Sequence, residues 1–576
     1  MATKINDNKI YSTTTTTGIQ QGNIIDNTAA NSNRLTTTVP KEDIWTIHGE
    51  QYDLREFVKR HPGGSRAINL GRSIDCTELF ETYHPFTEKH RKVLQKYKIS
   101  NNNNEKRLLL KESKTNDKSN MLLSDDGLFD WNHTPFYDDA KLAARKYFSP
   151  RGDETDEEIQ NNSKATPLAW VQHFVGLALV IPAFYYWCMG SPYAIIYFPL
   201  IYWVVCSDLM HNGSHFAQSR IPWINTVSCY MGSFHIQYHL WAIQHVVGHH
   251  VHTNIIGYDP DMHHFTQVEE KAAPGYRSHV NHEYLPKYQR FWKFALWFQT
   301  GATTVALALL NVPKYLEERK MQTTKIPEAF VNSIKFDRSI LVAFIVLFLY
   351  NHGLGKGLFT LFWSWSLHGM TFNIFSQISH VNEKCMDDTE KYRLKHNLVK
   401  NEWAVHEMLT AVDYSTDSWF WSTASINLNQ QICHHLFPSV HPVHYPALRK
   451  LLIPICEKHG IDYEQRSNLT FVEAVTQYLK WIFFLNEKVE ENEGLKIMSK
   501  SNYYLVVLAG SVMTLFFTIP VYIFTMGLPG PYDLATVLVL VLGVVVFLLG
   551  MIGEGIWLTT LGDKKSILNK FKPKFC

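Results

Sequence analysis

Residues 168–215 read LAWVQHFVGLALVIPAFYYWCMGSPYAIIYFPLIYWVVCSDLMHNGSH. Two apolar runs, about Leu168 to Cys188 and Tyr193 to Val205, are joined by Met189-Gly-Ser-Pro-Tyr193, whose glycine and proline suit a tight turn. Together they predict a helical hairpin in lipid. The second run leads into His211-Asn-Gly-Ser-His215. On a helix, that i, i+4 spacing puts both imidazoles on one face, about 5 to 6 Å apart at Cβ, close enough to share a metal ion. Such a pair also occurs by chance, so its meaning depends on the rest of the chain.

Working outward, a second candidate hairpin spans about Ser339 to Phe375 with NHGLGKG in its middle, and a third spans about Tyr503 to Leu558, broken by GLPGPYD. The three connecting turns hold almost no Lys or Arg and the flanking segments are rich in both. The positive-inside rule therefore predicts a multi-pass protein with cytosolic N- and C-termini. Phe291 to Leu310 is also apolar, but a crossing there would put the later histidines on the opposite face, so it is expected in the membrane interface. Five segments follow: an Asn/Thr-rich disordered arm (1–40), a compact soluble module (41–98), a flexible linker (99–130), a membrane domain (131–485), and a further hairpin with a basic tail (486–576). No charged-then-apolar signal peptide opens the chain. The terminal Lys572-Pro-Lys574-Phe-Cys576 looks like a dilysine-type retrieval signal, which predicts the endoplasmic reticulum membrane.

Composition narrows the chemistry. With 576 residues, 45% hydrophobic and 19% charged, the chain is too long and too apolar to be intrinsically disordered. A net charge of +2 gives no basic field for a nucleic acid. Eight scattered cysteines without a CxxC pair exclude a disulfide scaffold and a thiolate zinc site. The 28 histidines are clustered.

The second cluster is His245-Val-Val-Gly-His249-His250, which repeats the i, i+4 pair and adds a neighbour turned by about 100°. Such a triple could touch two metals at once. The third is Gln431-Ile-Cys-His434-His435, with i, i+3 and i+4 on one face after the second hairpin, and His380 stands just beyond that hairpin's end. All lie on one side of the membrane in this topology. Seven or more nitrogen donors exceed the needs of one ion, so a pair of ions is expected. His235 and His239 share a helical face with the second cluster but read as structural, and His263, His264, His441 and His444 read as loop or cap residues.

The soluble module decides which metals. It holds His61-Pro-Gly-Gly64, preceded by Trp45, Tyr52-Asp53 and Phe57 and followed by Asp75-Cys-Thr-Glu-Leu-Phe-Glu-Thr-Tyr-His84. This pattern resembles cytochrome b5, which implies an α+β haem-binding domain with heme b held axially by His61 and His84. An electron carrier tethered to a multi-histidine membrane site implies redox chemistry, because hydrolysis needs no electrons.

The three clusters, in order around two hairpins, resemble the membrane fatty acid desaturases. Gln431 at the head of the third box, the fused haem module and the following His-His-Leu-Phe-Pro are similar to the front-end branch, and Gln244 through His250 to Asp259-Pro260-Asp261 is similar to its delta-5 type. The resemblance implies an all-α membrane domain, a four-helix core under a cytosolic cap, and a di-iron centre using O2. Its ligands would be His211, His215, His245, His249, His250, His380, His434 and His435, with Gln431 a weaker or outer ligand. The implied partners are the bilayer, a polyunsaturated acyl lipid or acyl-CoA as substrate, and NADH-cytochrome b5 reductase as electron source. Asn212, Cys433 and His252 depart from residues common at their positions, which leaves the substrate subclass open. Two other readings remain: a di-iron fatty acyl or sphingolipid hydroxylase, and a non-catalytic membrane haem protein.

Overall fold

The structure is a computed structural model that describes residues 40, 43–99, 128–255, 258–261, 328–382, 384–385 and 402–484. The expected arm at 1–39, most of the linker, the interfacial stretch at 291–310 and the hairpin at 503–558 lie outside the described residues.

The soluble module opens with two short antiparallel strands, Trp45–Ile47 and Glu50–Tyr52, paired Trp45 to Tyr52. His48 and Gly49 turn the chain between them with φ of 51° and 71°, a left-handed conformation that glycine adopts without a Cβ penalty. Helices Gly64–Asn69, Thr77–Thr82 and Lys89–Leu94 follow. Trp45, Ile47, Tyr52, Leu54, Cys76 and Leu94 form the module's core. The Trp45 indole donates to the Ile68 carbonyl at 2.7 Å, which fixes the strands against the first helix.

The first expected hairpin is present as helices Pro167–Cys188 and Ala194–Tyr202. Thr166 caps the first, its hydroxyl accepting from the Ala169 amide at 3.3 Å, and Pro167 occupies the first turn, where an amide donor is not needed. Gly190, at φ 73°, ends it. The second helix runs on through a π-helical segment, Trp203–Ser207, into helix Asp208–Ser214. Pro167–Cys188 and Ala194–Ser214 are both long and apolar enough to cross a membrane.

The second expected hairpin is present as helices Glu328–His352 and Leu354–Gln377, with Gly353 at φ 73° between them. All four long helices share one apolar cluster around Trp187, Phe198, Leu341, Phe348 and Leu361. The Trp187 indole donates to Ser364 Oγ at 2.8 Å, which ties one hairpin to the other. Their outer faces expose Leu168, Val171, Phe174, Ile181, Ile340, Val346, Leu347 and Leu358, the opposite of what water would select.

Against one end of these helices sits a cap made of helices Pro135–Tyr147, Trp403–Thr410, Gln431–Leu436 and Tyr445–Lys458. Phe136, Tyr137, Trp403, Met408, Leu436 and Phe437 form its core. Phe86 of the soluble module belongs to the same cluster, so the module is packed on the cap rather than held by its linker alone.

Candidate metal and haem centres

Most of the histidines are presented by three short stretches, two of them with π-helical backbone. The π-helical Trp203–Ser207 precedes His211 and His215, a second π-helical segment, Ala242–His249, carries His245 and His249, and helix Gln431–Leu436 carries His434 and His435. An i→i+5 pitch overwinds nothing but widens the turn, so side-chain spacing shifts by about one residue. The His250 amide accordingly donates to the His245 carbonyl at 3.0 Å.

That pitch corrects the helical reading of the second cluster. His245 does not group with His249 at i+4 but with His250 at i+5, as part of a set of five with His211, His215 and His434 whose ligand atoms all lie within 4.8 Å of one another. His249 joins His380 and His435 in a second set, within the same 4.8 Å limit. The third cluster divides in the same way, His434 to one set and His435 to the other, and does not act as a single face. All eight residues are buried. His235 and His239 lie in neither set: His235 packs on His368 with ring centroids 4.2 Å apart, and His239 Nδ1 meets Asp337 at 2.8 Å.

Each set is oriented from behind. His249 Nδ1 faces Asp259 Oδ2 at 3.1 Å, His435 Nδ1 faces Glu407 Oε2 at 2.8 Å, His380 Nδ1 donates to the Thr410 carbonyl at 2.9 Å, and His434 Nδ1 meets the Tyr445 hydroxyl at 3.1 Å. A proton held on Nδ1 by an oxygen partner leaves the Nε2 lone pair for a metal. Burial and the neighbouring imidazoles push His245, His250 and His434 well below the usual range, so these rings are neutral. Burial also disfavours charge on His249, but Asp259 and Asp261 outweigh it and raise that imidazole to about 9.

The donor atoms fit a bound cation. His211 Nδ1, His215 Nε2, His250 Nδ1, His434 Nε2 and Gln431 Oε1 are buried without a hydrogen-bond partner. The Nε2 atoms of His211 and His250 each lie 3.1 Å from His245 Nε2, where one proton cannot serve both contacts. An unpaired buried polar group costs roughly 1 to 3 kcal/mol, and a shared cation relieves several at once. Gln431 borders the smaller set, its amide nitrogen 2.8 Å from His380 Nε2 and 3.1 Å from His435 Nε2.

In the soluble module, His61 and His84 line one cavity of about 400 Å³. Their ring centroids are 6.1 Å apart, and each Nδ1 meets a backbone carbonyl, Gly64 at 3.3 Å and Phe80 at 2.7 Å. Nε2 is therefore the nitrogen left free to bind a ligand on both, the arrangement that axial haem binding requires. Burial pushes His61 down to about 4, with the nearby His84 adding to the effect, and burial lowers His84 as well. A third imidazole, His90, stacks on His84 with centroids 4.7 Å apart and also lines the cavity, which the motif did not indicate.

The module's docked face reaches the histidine sets. Tyr83, the residue before His84, places its hydroxyl 2.8 Å from His215 Nδ1. Arg66 donates to the Tyr230 hydroxyl at 2.9 Å and lies over the Tyr238 ring at 4.2 Å, and Thr87 donates to Asp156 Oδ2 at 2.9 Å. Asp259, Glu407, Tyr445 and Tyr83 escape a sequence reading because none stands at a ligand spacing. The only hint is that the Asp259-Pro260-Asp261 string follows the second cluster closely.

A buried multi-histidine centre, its five-histidine set neutral, beside a docked two-histidine cavity defines an oxidoreductase built on long apolar helices and a helical cap. Residues 186–467 match the fatty acid desaturase family, and residues 32–102 match the cytochrome b5-like heme/steroid binding domain family. The chain thus joins a fatty acid desaturase region to a cytochrome b5-like region, the arrangement of the front-end desaturases that it resembles. It is 27% identical to an acyl-lipid omega-13 desaturase of Chlamydomonas reinhardtii, over 77% of this chain and 93% of that one. It is 25% identical to a probable Delta(5) fatty acid desaturase C of Dictyostelium discoideum, over 76% and 91%, and to an acyl-lipid (8-3)-desaturase of Mortierella alpina, over 77% and 94%. No solved structure matches the chain.

Proposed function

We propose that the protein inserts a cis double bond between an existing one and the carboxyl end of a polyunsaturated acyl chain, with delta-5-like placement. The observation that carries this reading is the convergence of eight imidazoles into two adjoining sets beside a docked haem cavity. His211, His215, His245, His250 and His434 would hold one iron, and His249, His380 and His435 the other, with Gln431 at the border of the second. His61 and His84 would hold heme b. When bound, heme supplies single electrons and the iron pair supplies dioxygen activation.

The chain's own residues do the positioning. Asp259, Glu407, the Thr410 carbonyl and Tyr445 hold four imidazoles in the tautomer that offers Nε2. The cap buries all eight rings and so keeps bulk water from the reacting carbon. The two hairpins would form a four-helix membrane core, because their outward faces are apolar, and the acyl chain would enter from the lipid. The substrate carrier is an acyl lipid, as the names of several relatives suggest, or acyl-CoA. NADH-cytochrome b5 reductase would refill the haem, and the endoplasmic reticulum membrane, with both termini cytosolic, suits that supply.

Expression in yeast fed a panel of polyunsaturated acids, with double-bond positions read by mass spectrometry, tests the reading. A product two hydrogens lighter than its precursor supports it; a product heavier by one oxygen assigns a hydroxylase instead. Iron analysis separates the remaining alternative, since a non-catalytic haem protein would contain haem iron only.

A further inference from the structure

Most partners of the clustered histidines come from the membrane domain and its cap, but one does not. Tyr83 belongs to the soluble module, 132 residues away in sequence from His215, and its hydroxyl lies 2.8 Å from His215 Nδ1. The two rings are nearly parallel, at 9° with centroids 6.4 Å apart. On the far side of the same imidazole, Nε2 is buried, lacks a hydrogen-bond partner and belongs to the five-histidine set.

We propose that Tyr83 is a positioning residue of the metal centre: its hydroxyl accepts the Nδ1–H of His215, commits Nε2 to the metal, and so makes the five-histidine set complete only while the haem module is docked. This rests on the reading of that set as an iron site. The chemistry is that of the other partners, Asp259 behind His249 and Glu407 behind His435, with a phenol oxygen in place of a carboxylate. Tyr83 is also the covalent neighbour of His84, so one residue joins the cavity wall that faces the haem to a ligand of the second centre. The remaining module contacts hold this geometry. Arg66 reaches Tyr230 and Tyr238, and a Cβ on Gly64 would stand only 2.7 Å from Pro222 Cβ, so the surfaces meet without a gap.

The test uses full-length protein in detergent, stripped of metal and titrated anaerobically with cobalt(II), whose visible absorption reports nitrogen ligation without turnover. Y83F keeps the ring stacked on His215 and removes only the acceptor. Cobalt affinity of the five-histidine set should fall about 10- to 100-fold, the usual loss when the partner behind a histidine ligand is removed, while the haem absorption spectrum stays that of the wild type. Unchanged affinity in Y83F overturns the proposal. If Y83F loses its haem spectrum and has therefore misfolded, R66A serves instead, because it loosens docking from outside both centres. Weaker cobalt binding in R66A supports the dependence on docking, and wild-type binding overturns it. Wild-type protein that binds no cobalt at these histidines would instead remove the iron-site reading itself, a different failure.

Discussion

At the residue scale, the proposed metal centre divides into candidate ligands that the sequence displays and partners that it hides. His211, His215, His249, His250 and the rest are legible because imidazoles at helical spacing beside apolar runs are uncommon without a cause. Glu407 is not, since it lies 28 positions from His435 and only the fold brings its carboxylate to 2.8 Å. E407A should therefore behave as a metal-site variant: iron affinity should drop about 10- to 100-fold, or roughly 1.4 to 2.7 kcal/mol, with the haem spectrum unchanged. Quantifying non-haem iron after gel filtration checks this, and full retention would show that Glu407 has no role behind His435. H249A and H434A should each abolish product and lower iron content while the haem spectrum persists. Retained product after either change would defeat the corresponding ligand assignment.

At the element scale, the hairpins were readable and the π-helical segments were not. A 3.6-residue period assumes that every turn is alike, and it paired His245 with His249; the wider turn of Ala242–His249 sends them to different sets. Nothing in Ala-Ile-Gln-His-Val-Val-Gly-His signals that pitch, because it is maintained by packing from outside the segment. Gly248 shows how close that packing is: a Cβ there would stand 2.5 Å from Pro260 Cδ. G248A should displace the strip that carries Asp259 and so weaken metal binding at the His249 set more than at the five-histidine set. Two-step cobalt titration resolves the pair, and equal losses would count against the division. In the helical core, Trp187 is fully buried and its indole bonds Ser364. W187A should cost about 3 to 5 kcal/mol, seen as a lower melting temperature in detergent, with little change in the haem module.

At the scale of the whole molecule, the sequence announced a tethered electron carrier and left its place unknown, because docking depends on contacts such as Arg66 with Tyr238 that no local pattern encodes. The docked module covers the approach to His215. H61A should then lose the haem signal and the product together, and added soluble cytochrome b5 should not restore the product; recovery would mean that the module undocks readily. The far end of the helices has its own consequence. His352 Nε2 donates to the Cys188 carbonyl at 2.7 Å, and a Cβ on Gly190 would lie 2.8 Å from Lys356 Nζ. The bends of both hairpins are thus clasped to each other, away from the histidines. A glycosylation acceptor inserted at either bend must face the same compartment as one inserted at the other, so sugar is attached at both or at neither.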